Sequence, residues 1–318
     1  MVPWVEKYRP KTLDEVVGQE HIISQLKNYT DIRQIRHILA VGPPGTGKTT
    51  VAYCLANHLK VDIIEHNASE ERGIEVIRTK IKSELVHDPP KIILLDEADE
   101  LTPQAQTALR RMMEQFINAP SRLFLTANYP WKIIEPIQSR CARFNFRPIP
   151  KEESAKILLN IMVKEGMVEG MEKGEIKELI LYLLELSKGD LRKAINTLQS
   201  IHDSGLKVSK EVISQHFESF LIARQLVTKT IEGGNWEEIL TLLETCLIEK
   251  GLQPKAVIDE IYKAAVDNIK DKYLLAQFLR SLKFTDGFIA NFECNVLLQL
   301  TSSLLDLYIL VHSLPKSE

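Results

Sequence analysis

The sequence predicts an α/β domain, a parallel sheet flanked by helices, followed by a small helical domain and a second all-helical domain. Four short apolar runs alternate with helix-period segments as far as Pro150, two of those runs end in residues that carry chemistry, and the strand signal vanishes beyond Pro148 and Pro150. The expected domains are residues 1–150, 151–216 and 217–318. A chain of 318 residues that is 44% hydrophobic and 26% charged excludes a disordered or low-complexity protein, and 7% aromatic content with helix-period patterning argues against a β-sandwich.

The first run, 38–41, leads straight into Gly42-Pro43-Pro44-Gly45-Thr46-Gly47-Lys48-Thr49-Thr50, a phosphate-binding loop set between a strand and a helix. Its glycines let backbone N–H groups converge on phosphate oxygens, and the helix N-terminus adds positive dipole. Lys48 then neutralises β/γ charge, and the Thr49 hydroxyl ligates magnesium. After the second run, 62–64, the segment Ser69-Glu70-Glu71-Arg72-Gly73 opens a helix that buries Ile74, Ile77, Ile81 and Leu85 and exposes Arg78, Lys80 and Lys82. The third run, 92–95, ends in Asp96-Glu97, where Asp96 can hold magnesium through water and Glu97 can activate the attacking water. Thr102 before Pro103 marks the next helix start, with Ala105, Leu109, Met112 and Met113 on its apolar stripe and Arg110 and Arg111 on its other faces. Arg78, Lys82, Arg110 and Arg111 are candidate contacts to DNA phosphates; a solvated face is the alternative.

The fourth run, 123–126, is followed by Asn128, which can orient water or touch a γ-phosphate if its strand neighbours the acid pair; a turn role is the alternative. Arg140, in Ser139-Arg140-Cys141, is either a surface arginine or a guanidinium supplied to a neighbouring subunit. Helices follow at 152–163, 175–186 and 191–201, the last opened by Gly189-Asp190-Leu191-Arg192, with Asp190 as cap and Arg192 able to reach a nucleotide across a cleft. The remainder reads as helices from 217 onward, at 236–249, 254–266, 273–282 and 295–311. Polar residues such as Gln299, Thr301 and Asp306 interrupt the stretch 296–311, which reads as a buried helix and not a membrane span.

A net charge of −3 argues against nucleic-acid binding through overall basicity, so any such contact is local. Cys54, Cys141, Cys246 and Cys294 are far apart with no C-x-x-C pair, which fits a reducing compartment and leads us to expect no structural metal. The N-terminus lacks the apolar core of a signal peptide, and no targeting segment is expected.

Together these residues resemble the AAA+ ATPases and, within them, the small subunits of replication factor C, the sliding-clamp loader. The resemblance rests on Trp4-Val5-Glu6-Lys7-Tyr8-Arg9-Pro10, the loop 42–50, the run 67–73, Asp96-Glu97-Ala98-Asp99, the run 134–141 and Gly189-Asp190-Leu191-Arg192. It is strong to about residue 200 and rests beyond that mainly on 295–300. It implies an AAA+ ATPase domain, a helical lid and a helical collar, with ATP and Mg2+ bound. By resemblance Val5 and Val17 lie near the adenine, Asn128 and Arg192 are the two nucleotide sensors, and Arg140 is an arginine finger acting on the next subunit of a pentamer. The implied partners are a large subunit, further small subunits, the sliding clamp and primer-template DNA, in the cytoplasm on the chromosome, or in the nucleus of a eukaryote. The run 13–21 looks more archaeal than eukaryotic, and the segment 81–86 lacks the phenylalanine common where family members touch the clamp. Two other readings are a different DNA-remodelling AAA+ motor, which the lack of a winged-helix-like region disfavours, and a non-hydrolysing scaffold subunit, which the intact Glu97 disfavours.

Overall fold

Every strand of the sheet runs parallel to its neighbours, in the order β2-β3-β4-β1-β5, with β1 at His37–Val41, β2 at Asp62–Asn67, β3 at Lys91–Asp96, β4 at Arg122–Ala127 and β5 at Cys141–Asn145. The structure is a computed structural model that describes residues 2–70, 73–86, 88–249, 251, 253–291 and 296–313. Helices α1 (Trp4–Lys7), α2 (Glu20–Leu26), α3 (Lys48–Leu59), α4 (residues 74–86, with a π-helical turn at Ile77–Ile81), α5 (Pro103–Gln115) and α6 (Glu135–Gln138) accompany the sheet. Successive strand residues face opposite sides, so each of the central strands β1, β3 and β4 feeds two cores. Leu39, Ile93, Leu95 and Leu125 pack beneath α4 and α5, whereas Ile38, Ile92, Leu94 and Phe124 pack beneath α2 and α3. Burial on both faces is why these strands read as continuous apolar runs.

All four runs expected from the sequence form strands, and the sheet has a fifth that was not expected. In β5 only Cys141 and Phe144 are buried. It is an edge strand whose register, His37 opposite Cys141 through Val41 opposite Asn145, comes from pairing with β1 and not from its own hydrophobicity.

The chain divides into two compact units, Met1–Ser209 and Lys210–Glu318. The first also contains α7 (Lys151–Lys164), α8 (Lys173–Leu186) and α9 (Leu191–Asp203), which pack on one another and bury Leu158, Ile161, Leu179, Leu183 and Leu198. The N-terminal segment is strapped to these helices: the Trp4 amide donates to Gln199 Oε1 at 2.7 Å, its ring packs at a tilt of 53° against His202 with centroids 5.1 Å apart, and Lys7 Nζ donates to Glu165 at 2.6 Å. The Tyr8 hydroxyl donates to the same carboxylate.

The second unit contains α10 (Lys210–His216), α11 (Glu218–Glu232), α12 (residues 236–249), α13 (Pro254–Asn268), α14 (Lys272–Asn291) and α15 (Val296–Ser313). Leu226, Ile239, Ile261, Phe278 and Leu304 meet in its core. Helix α14 runs past the expected end at 282; beyond it buried Thr285 hydrogen-bonds Ser303 at 2.5 Å, and one turn earlier Ser281 donates to Asp306 at 2.6 Å. Glu71 and Arg72 of the run 67–73, Cys294, and Asn295 of the last expected helix lie outside the described residues. Cys54, Cys141 and Cys246 are buried free thiols. Among the described residues no helix is long and apolar enough to cross a membrane.

Candidate functional site

Where β1 ends, the chain passes through a gap that admits no side chain. The Gly42 amide donates to Ala127 O at 3.2 Å, and a Cβ on Gly42 would lie 2.5 Å from the Phe146 carbonyl oxygen. The loop then closes on itself through Thr46 Oγ1, which donates to Pro43 O at 2.9 Å. Gln19, fully buried, ties the loop to the exit of β5: its side-chain amide donates to Thr46 O at 3.3 Å and to Arg147 O at 2.7 Å. A lone glutamine has no spacing signal, and sequence reasoning missed it.

Lys48 begins α3 and is only 8% exposed. Its Nζ donates to Gly42 O, Pro43 O and Asn128 Oδ1, each at 2.8 Å. Burial pushes the ammonium down to about 8, against the opposing pull of Asp96, Asp99 and Glu97, while Arg192 acts in the same direction as burial. Beside it, the Thr49 hydroxyl lies 3.1 and 3.2 Å from the two Asp96 carboxylate oxygens. Thr126 links the acid pair, donating from Oγ1 to Asp96 Oδ1 and accepting the Glu97 amide at 3.0 Å. In a strand, consecutive side chains face opposite ways. Left-handed backbone at Glu97 (φ 55°) breaks that alternation, and Asp96 and Glu97 both line one pocket.

The pocket measures roughly 630 Å³, within the range of small-molecule sites. Val5, Tyr8, Val17, Ile157 and Ile161 give it apolar lining; Pro44, Gly45, Thr46, Gly47 and Thr50 contribute the loop; Lys48, Thr49, Asp96, Glu97, Asn128 and Arg192 contribute charge and hydrogen bonds. Gly42 and Pro43 act through the carbonyls that hold Lys48. Helix α9 touches the loop directly. Asp190 caps α9 by accepting the Lys193 amide, and a Cβ on Gly45 (φ 75°) would lie 2.6 Å from Asp190 Oδ1.

Arg140 is elsewhere. It precedes Cys141, which pairs with the first residue of β1, whereas the loop leaves the last; five residues of strand place about 16 Å between the two levels, beyond the reach of a side chain. Its guanidinium donates to Pro136 O at 2.7 Å and pairs with Glu114 at 2.5 Å, and Arg110 Nε approaches the same carboxylate at 3.8 Å. The four basic candidates therefore separate. Arg78, Lys82 and Arg111 line one groove between α4 and α5, with Lys82 over the Phe116 ring at 5.6 Å, while Arg110 belongs with Glu114 and Arg140.

Residues 38–149 match the family model of ATPases associated with various cellular activities (AAA). A replication factor C small subunit of Archaeoglobus fulgidus is 44% identical over 283 residues, covering 84% of this chain and 86% of the relative. One from Staphylothermus marinus is 44% identical over 275 residues, covering 82% and 80%. Among solved structures, the RuvB Holliday junction branch migration motor of Thermotoga maritima aligns with a TM-score of 0.58 over 81% of this chain and 89% of that one. At 20% identity it speaks to the fold alone. With a parallel sheet flanked by helices, a phosphate loop at its strand ends and relatives matched along most of their length, the chain belongs to the replication factor C small-subunit family of AAA ATPases.

Proposed function

We propose that the chain binds and hydrolyses ATP as a small subunit of a clamp loader, which places a sliding clamp on primed DNA. It does so in a pentamer with a large subunit and further small subunits, on chromosomal DNA in the cytoplasm. The observation that carries this is the convergence of Lys48, Thr49, Asp96, Glu97 and Asn128 on one pocket in a chain 44% identical to a replication factor C small subunit. Residues 1–150 then act as the nucleotide-binding domain, 151–216 as its lid and 217–318 as the collar that joins subunits. An intact Glu97 favours hydrolysis over a non-hydrolysing scaffold role.

In this reading the loop amides and the Lys48 ammonium bind the β/γ-phosphates, Glu97 takes the proton of the attacking water, and Asn128 orients the γ-phosphate. Val5 and Val17 pack near the adenine and Arg192 reaches the phosphates from the lid. Magnesium, when bound with ATP, draws charge from the phosphate oxygens; the Thr49 hydroxyl and Asp96 carboxylate, hard oxygen donors 3.1 Å apart, fit such a cation. Arg140 serves as an arginine finger for the adjacent subunit. Arg78, Lys82 and Arg111 bind DNA phosphates, which fits their shared groove.

Lys48→Ala is expected to abolish tight ATP binding, because the counter-charge is gone, whereas Glu97→Gln keeps binding and stops turnover. Equal loss of ATP affinity in both variants overturns this division of roles.

Phosphate beside Lys48 favours the charged ammonium, so ATP raises a pKa that sits at about 8 in the free protein. ATP affinity is therefore expected to be level below about pH 8 and to fall by up to about tenfold per pH unit above it, until the bound-state pKa is reached. Calorimetry at pH 9 in buffers of different ionisation enthalpy should register uptake of nearly one proton per ATP; zero uptake refutes the assignment.

Replacing Arg78, Lys82 and Arg111 together by alanine should weaken DNA binding on unrelated sequences alike and reduce the log–log salt slope by about 2 to 3. An unchanged slope in a fluorescence titration excludes the groove.

Arg140→Ala should spare ATP binding and slow hydrolysis by about 10³-fold or more. In mixed rings of Arg140→Ala and Glu97→Gln protomers, activity should return only where an intact Arg140 faces an intact Glu97. Mixed rings as inactive as rings of either variant alone rule out action in trans.

A further inference from the structure

We infer that Asp99 is a positioning residue that sets Asn128 against Lys48, a role that rests on reading Asn128 as the group facing the γ-phosphate. Asp99 stands in the short 3-10 turn Ala98–Glu100 after the acid pair and is only 5% exposed. Its Oδ2 accepts the backbone amides of both Asn128, at 3.2 Å, and Tyr129, at 2.9 Å. Its Oδ1 is buried without a hydrogen-bond partner among the described residues. The carboxylate does not line the nucleotide pocket, so it acts through the asparagine.

The sheet explains why such a residue is needed. Strands β3 and β4 pair as far as Leu95 opposite Leu125, after which β4 continues only beside β1, with Ala40 opposite Thr126 and Val41 opposite Ala127. Past Ala127 no ladder bond fixes the chain, yet Asn128 Oδ1 must meet the Lys48 ammonium at 2.8 Å. A charged acceptor holding two successive amides supplies the missing restraint, and such bonds are roughly twice as strong as neutral ones. Leaving the second oxygen buried and unpaired is costly, and a residue serving packing alone has no reason to bear that cost. The negative charge also favours the charged form of Lys48.

The test uses the full chain assembled with its partner subunits, with kcat and KM for ATP measured beside a direct ATP Kd. Asp99→Ala should lower kcat by at least about tenfold with the ATP Kd changed by less than about threefold. The double variant with Asn128→Ala should be no slower than Asn128→Ala alone, since both act through one group. Asp99→Asn, which keeps an acceptor oxygen, should recover most of the rate. Should Asp99→Ala fail to fold by thermal melting, Asp99→Ser, too short to reach the amides, takes its place. A normal kcat for the truncated variant, additive losses in the double variant, or an Asp99→Asn rate as low as that of Asp99→Ala each overturn the inference. A normal rate for Asn128→Ala would instead remove the reading of Asn128 on which it rests.

Discussion

Lys48 carries a charge into a place where its direct partners are three neutral oxygens, and burial there pushes the ammonium pKa down. A buried cation of this kind is stabilised best by an anion that arrives from outside. Much of the surrounding architecture serves that arrival. Gly42 lets β1 turn under the Phe146 carbonyl, Gln19 holds the loop from behind, and the left-handed turn at Glu97 keeps both acid side chains on the same side. The carboxylates stand close enough to influence Lys48 electrostatically, yet none is among its hydrogen-bond partners, so a phosphate has only a neutral oxygen to displace from the ammonium.

Filling such a pocket engages three parts of the first unit at once. The strand ends hold the phosphate side, the N-terminal segment contributes Val5 and Tyr8, and α7 and α9 contribute Ile157, Ile161 and Arg192. These parts are also joined to one another, through Asp190 against Gly45, Trp4 against Gln199 and His202, and Glu165 against Lys7 and Tyr8. Binding energy gained at the phosphates therefore bears on the helices of residues 151–203 through contacts only one side chain deep.

The phosphate loop, the acid pair and Asn128 were legible because each is tied to a strand end, and buried parallel strands declare themselves as apolar runs. β5 was not, since Arg143 interrupts its apolar residues and its register comes from a partner distant in sequence. Gln19 and Asp99 escaped for a related reason: each acts on backbone atoms of a distant segment, a relation that residue type and spacing do not encode. The basic residues were found as a set but not as two groups. Arg110 and Arg111 are adjacent in sequence and about 100° apart around the helix, so one faces Glu114 while the other faces the groove.

β5 matters for more than the strand count. Paired in parallel with β1 and starting level with His37, it fixes Arg140 at the end of the sheet opposite the loop. Parallel strands send their carboxyl ends one way, so the phosphate loop, the acid pair and Asn128 gather at one edge while whatever precedes a strand stands at the other. No rotamer of Arg140 spans the roughly 16 Å between those edges. Its present partners, the Pro136 carbonyl and Glu114, hold the guanidinium at half exposure and away from its own pocket. Under the proposed reading, then, the separation is built into the topology: a chain of this fold can present its arginine only to a site that another chain supplies.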